Sequence, residues 1–261
     1  MGSHLKDHLV KKGFEVYCPQ RNDNQVLKRN LGHVIYCIGY TADFRQFPLE
    51  TAEAHVSVLL SFLKNASFDS LLYLSSTRVY ENAQDTREDS DLNVNPNNPN
   101  HIFNLTKLAG EACCLSVANP KIRIARVSNV LGPDFKSENF VNSVIKDILK
   151  NKKVSLRTTP DSAKDYILVD ALVDYLEKIA TQGKERLYNV ASGLNVTNAQ
   201  ILEALSQVAS FESSYAPNSQ KIVFPPIDVK RLKSEFGEVK SDIPSEVRRM
   251  YTLFASHFKN G

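Results

Sequence analysis

The sequence predicts an α/β fold, a doubly wound and mostly parallel sheet followed by a smaller α/β region. Three observations predict it. His33 to Ile38, Leu71 to Leu74 and Ile122 to Val127 are short apolar-rich runs, the pattern of strands covered on both faces. Amphipathic stretches separate them, the longest from Leu49 to Lys64 with Val56, Leu59, Leu60 and Leu63 on one side. Hydroxyl and small residues collect directly after the runs, where open parallel sheets bind ligands.

Taken in order, residues 1–13 read as a helix, with Leu5, Leu9 and Val10 as its apolar stripe and Gly13 at its C-terminal cap. Phe14 to Cys18 reads as a strand ended by Pro19, and Gln20-Arg21-Asn22-Asp23 as a polar turn. The stretch from Pro19 to Gly32 barely holds a further helix and strand, so the sheet should be trimmed on this side. Gly39 ends the run at His33 to Ile38, and Pro48 opens the long helix. Leu71 to Leu74 runs into Ser75-Ser76-Thr77-Arg78-Val79-Tyr80. Asp85 to Asn100 is a polar, proline-bearing loop before a helix through Leu108, Ala112, Cys113 and Leu115. From Asp134 the pattern is less sheet-like. Helices are expected at Phe140 to Lys150, through Leu172 to Ile179, from a Thr197 cap to Val208, at Val229 to Phe236 and at Ser245 to Phe258. Short strands are expected at Val154 to Leu156, Leu187 to Val190 and Lys221 to Phe224. The natural division is 1–133 and 134–261, with 187–190 returning to the main sheet.

The 261 residues suit one large domain with a smaller appendage, and 42% hydrophobic against 23% charged residues can build a sizeable core. A net charge of +3 gives no reason to expect nucleic acid or a membrane surface as partner. Cys18, Cys37, Cys113 and Cys114 follow no C-x-x-C spacing and read as reduced thiols. With no apolar run near about 20 residues and no signal-peptide pattern, the expected location is the cytoplasm. His4 and His8 share a helical face, but no third ligand is placed beside them, so no metal is expected.

The chemistry concentrates at His101 to Glu111. Phe103 and Lys107, four residues apart, stack on one helical face. Ser75 and Ser76 stand at a strand's C-terminal end, where hydroxyls can polarise a carbonyl or hydroxyl. These marks, with Gly2-Ser3-His4-Leu5, Arg126 to Pro133, Lys164-Asp165-Tyr166-Ile167 and Tyr188 to Gly193, resemble the extended short-chain dehydrogenase/reductase family. That group comprises NAD(P)-dependent nucleotide-sugar epimerases, dehydratases and reductases.

The resemblance implies a Rossmann-like sheet, an NAD or NADP cofactor and a nucleotide-sugar substrate. Ser76 matches the hydroxyl that bonds the reacting oxygen. Lys107 matches the lysine that holds the nicotinamide ribose and lowers the pKa of a neighbouring tyrosine, and Phe103 occupies that tyrosine's position. Ser128, Asn129 and Val130 match the segment beside nicotinamide and sugar, and Gly39 a strand end facing the cofactor. Lys164 stands where many members carry an arginine towards the diphosphate, and Tyr80 belongs to the structural or substrate-contacting end of its motif. Gly2 looks like the last glycine of a G-x-G-x-x-G turn, whose earlier glycines and opening strand are absent from the sequence. Arg21 leans towards NADP, since an arginine suits a 2′-phosphate.

Phenylalanine cannot transfer a proton, which costs about 10²- to 10⁴-fold where a general acid/base is lost. Three readings follow: a weak enzyme using water or Tyr80 for proton transfer, a pseudoenzyme that binds sugar nucleotides or proteins, and a fragment of a longer active enzyme. The resemblance also implies a possible homodimer through the Leu49–Lys64 and Leu105–Val117 helices.

Overall fold

The computed structural model describes residues 1–20, 23–41 and 43–259. The chain runs through α1 (Gly2–Lys11), β1 (His33–Tyr36), α2 (Pro48–Ala52), a π turn (Glu53–Ser57) and α3 (Val58–Asn65). It continues through β2 (Ser70–Ser76), α4 (Ile102–Ser116), β3 (Ile122–Val127), β4 (Asn129–Leu131), α5 (Phe140–Asn151), β5 (Lys153–Thr158) and β6 (Ala163–Leu168). It closes with α6 (Val169–Gln182), β7 (Leu187–Val190), β8 (Asn195–Thr197), α7 (Asn198–Ser206), β9 (Glu212–Gln220), α8 (Lys230–Phe236) and α9 (Ile243–Lys259).

The main sheet is wholly parallel, in the order β1-β2-β3-β7. Side chains alternate across a strand, and here each face has its own helices. Leu72, Ala125 and Val127 point into a core with Leu172, Leu176 and Ile179 of α6 and Leu5 of α1. Leu71, Tyr73, Ile122 and Ile124 point the other way, against Leu59 and Phe62 of α3 and Cys114 of α4. That is the doubly wound arrangement expected, with β7 beside β3. A separate core joins α5, α7 and α9 to β5 and β6, centred on Ile145, Ile148, Leu205 and Phe254. Two small sheets, β4-β6-β8 and β5-β9, belong to this half. Among the described residues no helix is long and apolar enough to cross a membrane.

Three local outcomes differ from expectation. Phe14 to Cys18 forms no strand: β1 is the sheet edge, and nothing pairs on its outer side among the described residues. An extended segment with no neighbouring ladder has no partner for its backbone groups, and Phe14 and Tyr17 stay exposed. The helix before it ends as expected, with Gly13 at φ +85° and the amides of Gly13 and Phe14 donating back to Val10 and Leu9. Lys221 to Phe224 contributes only an isolated bridge, Val223 to Ala163. Conversely, Ala163–Leu168, expected only as the approach to a helix, is a strand in its own right.

Candidate functional site

The strand ends of the main sheet and the loops after them bound a cavity of about 570 Å³. Ser76 is the last residue of β2, and its Oγ accepts from the Arg78 amide at 3.2 Å, starting the short 3-10 turn Thr77–Tyr80. Phe103 comes from the first turn of α4 and lines the cavity beside it, packed against Phe44 at 5.2 Å and edge-on to His55 at 5.4 Å between centroids. Ser128, Asn129 and Val130 line the opposite wall from the β3–β4 junction, and Lys164 reaches in from β6.

Lys107 lies one helical turn below Phe103, behind the cavity wall. Its ammonium donates to the Leu74 carbonyl at 2.8 Å and sits 5.1 Å from the Tyr73 ring centroid. Among the described residues no carboxylate reaches ion-pair distance of it, and burial lowers its pKa to about 7, only partly opposed by Glu111. Gly39 covers the same spot: a Cβ there would stand 2.7 Å from His55 Nε2 and 3.5 Å from Lys107 Nζ. His55 is fully buried in the π turn, and burial, then Lys107, pushes its pKa down to about 3.

Tyr80 is placed elsewhere. It is fully buried, does not line the cavity, and donates to Asn189 Oδ1 at 2.9 Å while accepting from Arg126 Nη1 at 2.7 Å. Arg126 also forks onto Glu111, which accepts from Ser75. Burial raises the Tyr80 pKa, so this phenol is a strut of the fold. Gly2 opens α1, and its neighbours Met1 and His4 line the cavity. Arg21 lies outside the described residues. His8 does approach two carboxylates, Asp174 and Glu177 of α6, but the Lys12 ammonium already bonds both.

Residues not anticipated from the sequence complete the site. Phe44, Arg45 and Arg78 line the cavity, and burial lowers the pKa of both Arg78 and Lys164. Arg78 was readable as a cation directly after the Ser75-Ser76 pair; Phe44 and Arg45 sit in a loop with no periodic signal. Asp165, beside Lys164, accepts from the amides of Ser192, Gly193 and Leu194 and from the Ser192 hydroxyl, at 2.7–3.0 Å. Burial raises its pKa against these bonds.

The resemblance would place a nicotinamide against Ser128 and Val130 and its phosphates at the start of α1. Ser128 Oγ is buried and lines the cavity beside Asp165, whose carboxyl pKa it helps to hold down. The phosphate end is barer. The first turn of α1 offers free amides with no side-chain cap, but a Cβ on Gly2 would meet nothing within 4 Å.

Residues 1–191 match the model of the NAD dependent epimerase/dehydratase family. The chain is 22% identical over 223 residues to a dTDP-D-glucose 4,6-dehydratase of Dictyostelium discoideum, covering 77% of this chain and 51% of that protein. It is 30% identical over 169 residues to a GDP-6-deoxy-D-mannose reductase of Pseudomonas aeruginosa, covering 59% and 54%. The chain thus spans about half the length of the curated relatives it matches. In fold it is similar to RMD from Pseudomonas aeruginosa complexed with NADPH, at TM-score 0.78 and 22% identity, covering 98% of this chain and 95% of that one. It is equally similar to MoeE5 in complex with UDP-glucose and NAD, at TM-score 0.78 and 18% identity, covering 100% and 96%.

Proposed function

This chain belongs to the NAD dependent epimerase/dehydratase family, and from that membership we propose that it binds a nucleotide sugar in the cavity at Phe103 and turns it over weakly or not at all. One observation carries the reading. The wall that would present an acid/base to the sugar presents a phenyl ring, and Tyr80, the nearest alternative phenol in sequence, has its hydroxyl committed to Asn189 and Arg126.

The remaining residues support binding. Ser76 offers a hydroxyl to the reacting oxygen, Asn129 is held by its amide on the Asp165 carbonyl at 2.8 Å, and Lys164 offers a point charge to the diphosphate. The cofactor would be NAD or NADP, supplying a hydride acceptor or donor. Lys107, Gly39, Ser128 and Val130 would hold its nicotinamide half, and the α1 amides its phosphates. The NADP lean rests on Arg21 alone. The exposed Leu49, Val58 and Leu115 on α2, α3 and α4 favour a homodimer through these helices.

Thermal unfolding with UDP- and dTDP-sugars tests the binding half. A ligand at a hundred times its dissociation constant should stabilise the fold by about 2.7 kcal/mol; no shift at millimolar ligand overturns it. Turnover by the unaltered chain with NAD(P) in the ordinary enzyme range of roughly 1–10³ s⁻¹ overturns the claim of weak activity.

A further inference from the structure

We propose that the sugar taken by this cavity carries a carboxylate, as in the hexuronates, and that Arg45 and Arg78 recognise it at the Phe103 end. The inference rests on the nucleotide-sugar reading and adds the class of sugar. Both guanidiniums lie against one ring: Arg45 Cζ is 4.5 Å and Arg78 Cζ 5.5 Å from the Phe44 centroid, and Phe44 in turn packs on Phe103. Arg78 also follows Ser76 by two residues. The two charges therefore flank the reacting end of the cavity.

The cavity does not cancel this charge itself. Arg78 places Nε on Asn104 Oδ1 at 3.1 Å and Nη2 on Glu81 Oε2 at 3.2 Å. Arg45 places Nε on Asn100 Oδ1 at 2.7 Å. Nη1 of Arg78 and both terminal nitrogens of Arg45 have no partner among the described residues, and neither has the Lys164 ammonium. Of the other carboxylates at the cavity, Asp134 accepts from the amides of Lys136 and Ser137, and Glu138 pairs with Lys146. Asp165 is filled by the donors of residues 192–194. Of the three cations only Arg78 has a carboxylate at ion-pair distance, Glu81, among the described residues.

With the diphosphate assigned to Lys164, the two guanidiniums beside Phe44 are left for the sugar. A neutral hexose brings only hydroxyls there, and a cation drawn partly out of water is costly unless paired. A planar carboxylate matches a guanidinium fork in shape and charge. On a hexose it replaces the C6 alcohol, adding the charge with little added bulk.

Calorimetry with matched pairs tests this: UDP-glucose against UDP-glucuronate, and GDP-mannose against GDP-mannuronate. The expected result is binding of the acidic member of one pair tighter by about tenfold or more, with the preference falling to near one in Arg45→Gln and in Arg78→Gln. Lys164→Gln should weaken both members alike. Arg45 is exposed, so its variant decides the matter if Arg78→Gln, stripped of its Asn104 and Glu81 contacts, fails to fold. Binding of neutral and acidic members with equal affinity overturns the hexuronate proposal and leaves the nucleotide-sugar reading standing. A preference that survives in both arginine variants also overturns it. Binding of none of the four overturns both.

Discussion

At position 103 a single oxygen atom separates the residue present from one able to move a proton. Phe103 is nearly buried yet lines the cavity, so the hydroxyl of Phe103→Tyr would point into the space a sugar occupies. With cofactor and a bound nucleotide sugar, we predict that this substitution raises turnover by about 10²- to 10⁴-fold. Steady-state rates over a panel of UDP- and dTDP-sugars check it; a flat response means that something other than residue 103 silences the site. Lys107 supplies a prediction with a sign. Its folded pKa of about 7 lies below the ordinary lysine value of 10.5, so between those limits the unfolded chain binds more protons than the folded one. Stability attributable to this group therefore rises as pH climbs from about 7 towards 10.5, and the penalty is complete below 7. Melting curves of the chain and of Lys107→Met should show the natural lysine gaining relative to methionine between pH 7 and pH 10; parallel curves would show that the ammonium is not desolvated. The Phe103 and Lys107 pair was legible in the sequence because it depends only on helical spacing. The partners of that pair were not: His55 arrives through a π turn, which no period of 3.6 announces.

Helix α4 approaches the sheet through Gly110, where an added Cβ would come within 2.4 Å of Tyr73 Oη and 2.9 Å of the His55 carbonyl. On helix propensity alone Gly110→Ala should stabilise by about 1 kcal/mol. We predict the opposite, a net loss of about 1–3 kcal/mol from forced displacement of two packed elements, read as a lower midpoint in urea. The segment from Ser192 to Leu194, ahead of β8, depends on one carboxylate in the same way. Asp165→Ala leaves the Ser192 and Gly193 amides without their acceptor, each worth about 1–3 kcal/mol if it stays buried and unpaired, while the Leu194 amide and the Ser192 hydroxyl keep their bonds to each other's residue. Hydrogen exchange at residues 192–194 should quicken, whereas exchange in β1 and β2 should not. Strands were legible from the sequence in proportion to their burial. β2 is built around the apolar run Leu71 to Leu74, whereas β9 is polar, contains Pro217 and pairs with β5 alone, so no apolar pattern marks it. Phe14 to Cys18 has the composition of a strand but no neighbour, and pairing decides.

Across the whole molecule, a buried polar chain ties the strand ends together. Ser75 of β2, Glu111 of α4, Arg126 of β3, Tyr80 and Asn189 of β7 are joined by successive hydrogen bonds, with the Arg126 and Glu111 side chains 6% and 4% exposed. Removing one charge from such a pair typically costs about 3–5 kcal/mol, and we predict a loss of this size for Glu111→Gln, measured by chemical denaturation. A change below 1 kcal/mol would show that the network is incidental. The apolar layers on either side of the sheet were legible because strand and helix periods dictate them; this network was not, since its members come from four separate stretches of chain. Its presence puts positions 80 and 103 under different constraints. The phenol at 80 is under the same constraint as the core, because losing it takes a partner from Asn189 and Arg126 together, whereas the ring at 103 only has to fill space. A lineage can therefore exchange its chemistry at 103 while the selection that keeps the chain folded registers almost nothing, and what such a protein is used for can drift well ahead of how it is built.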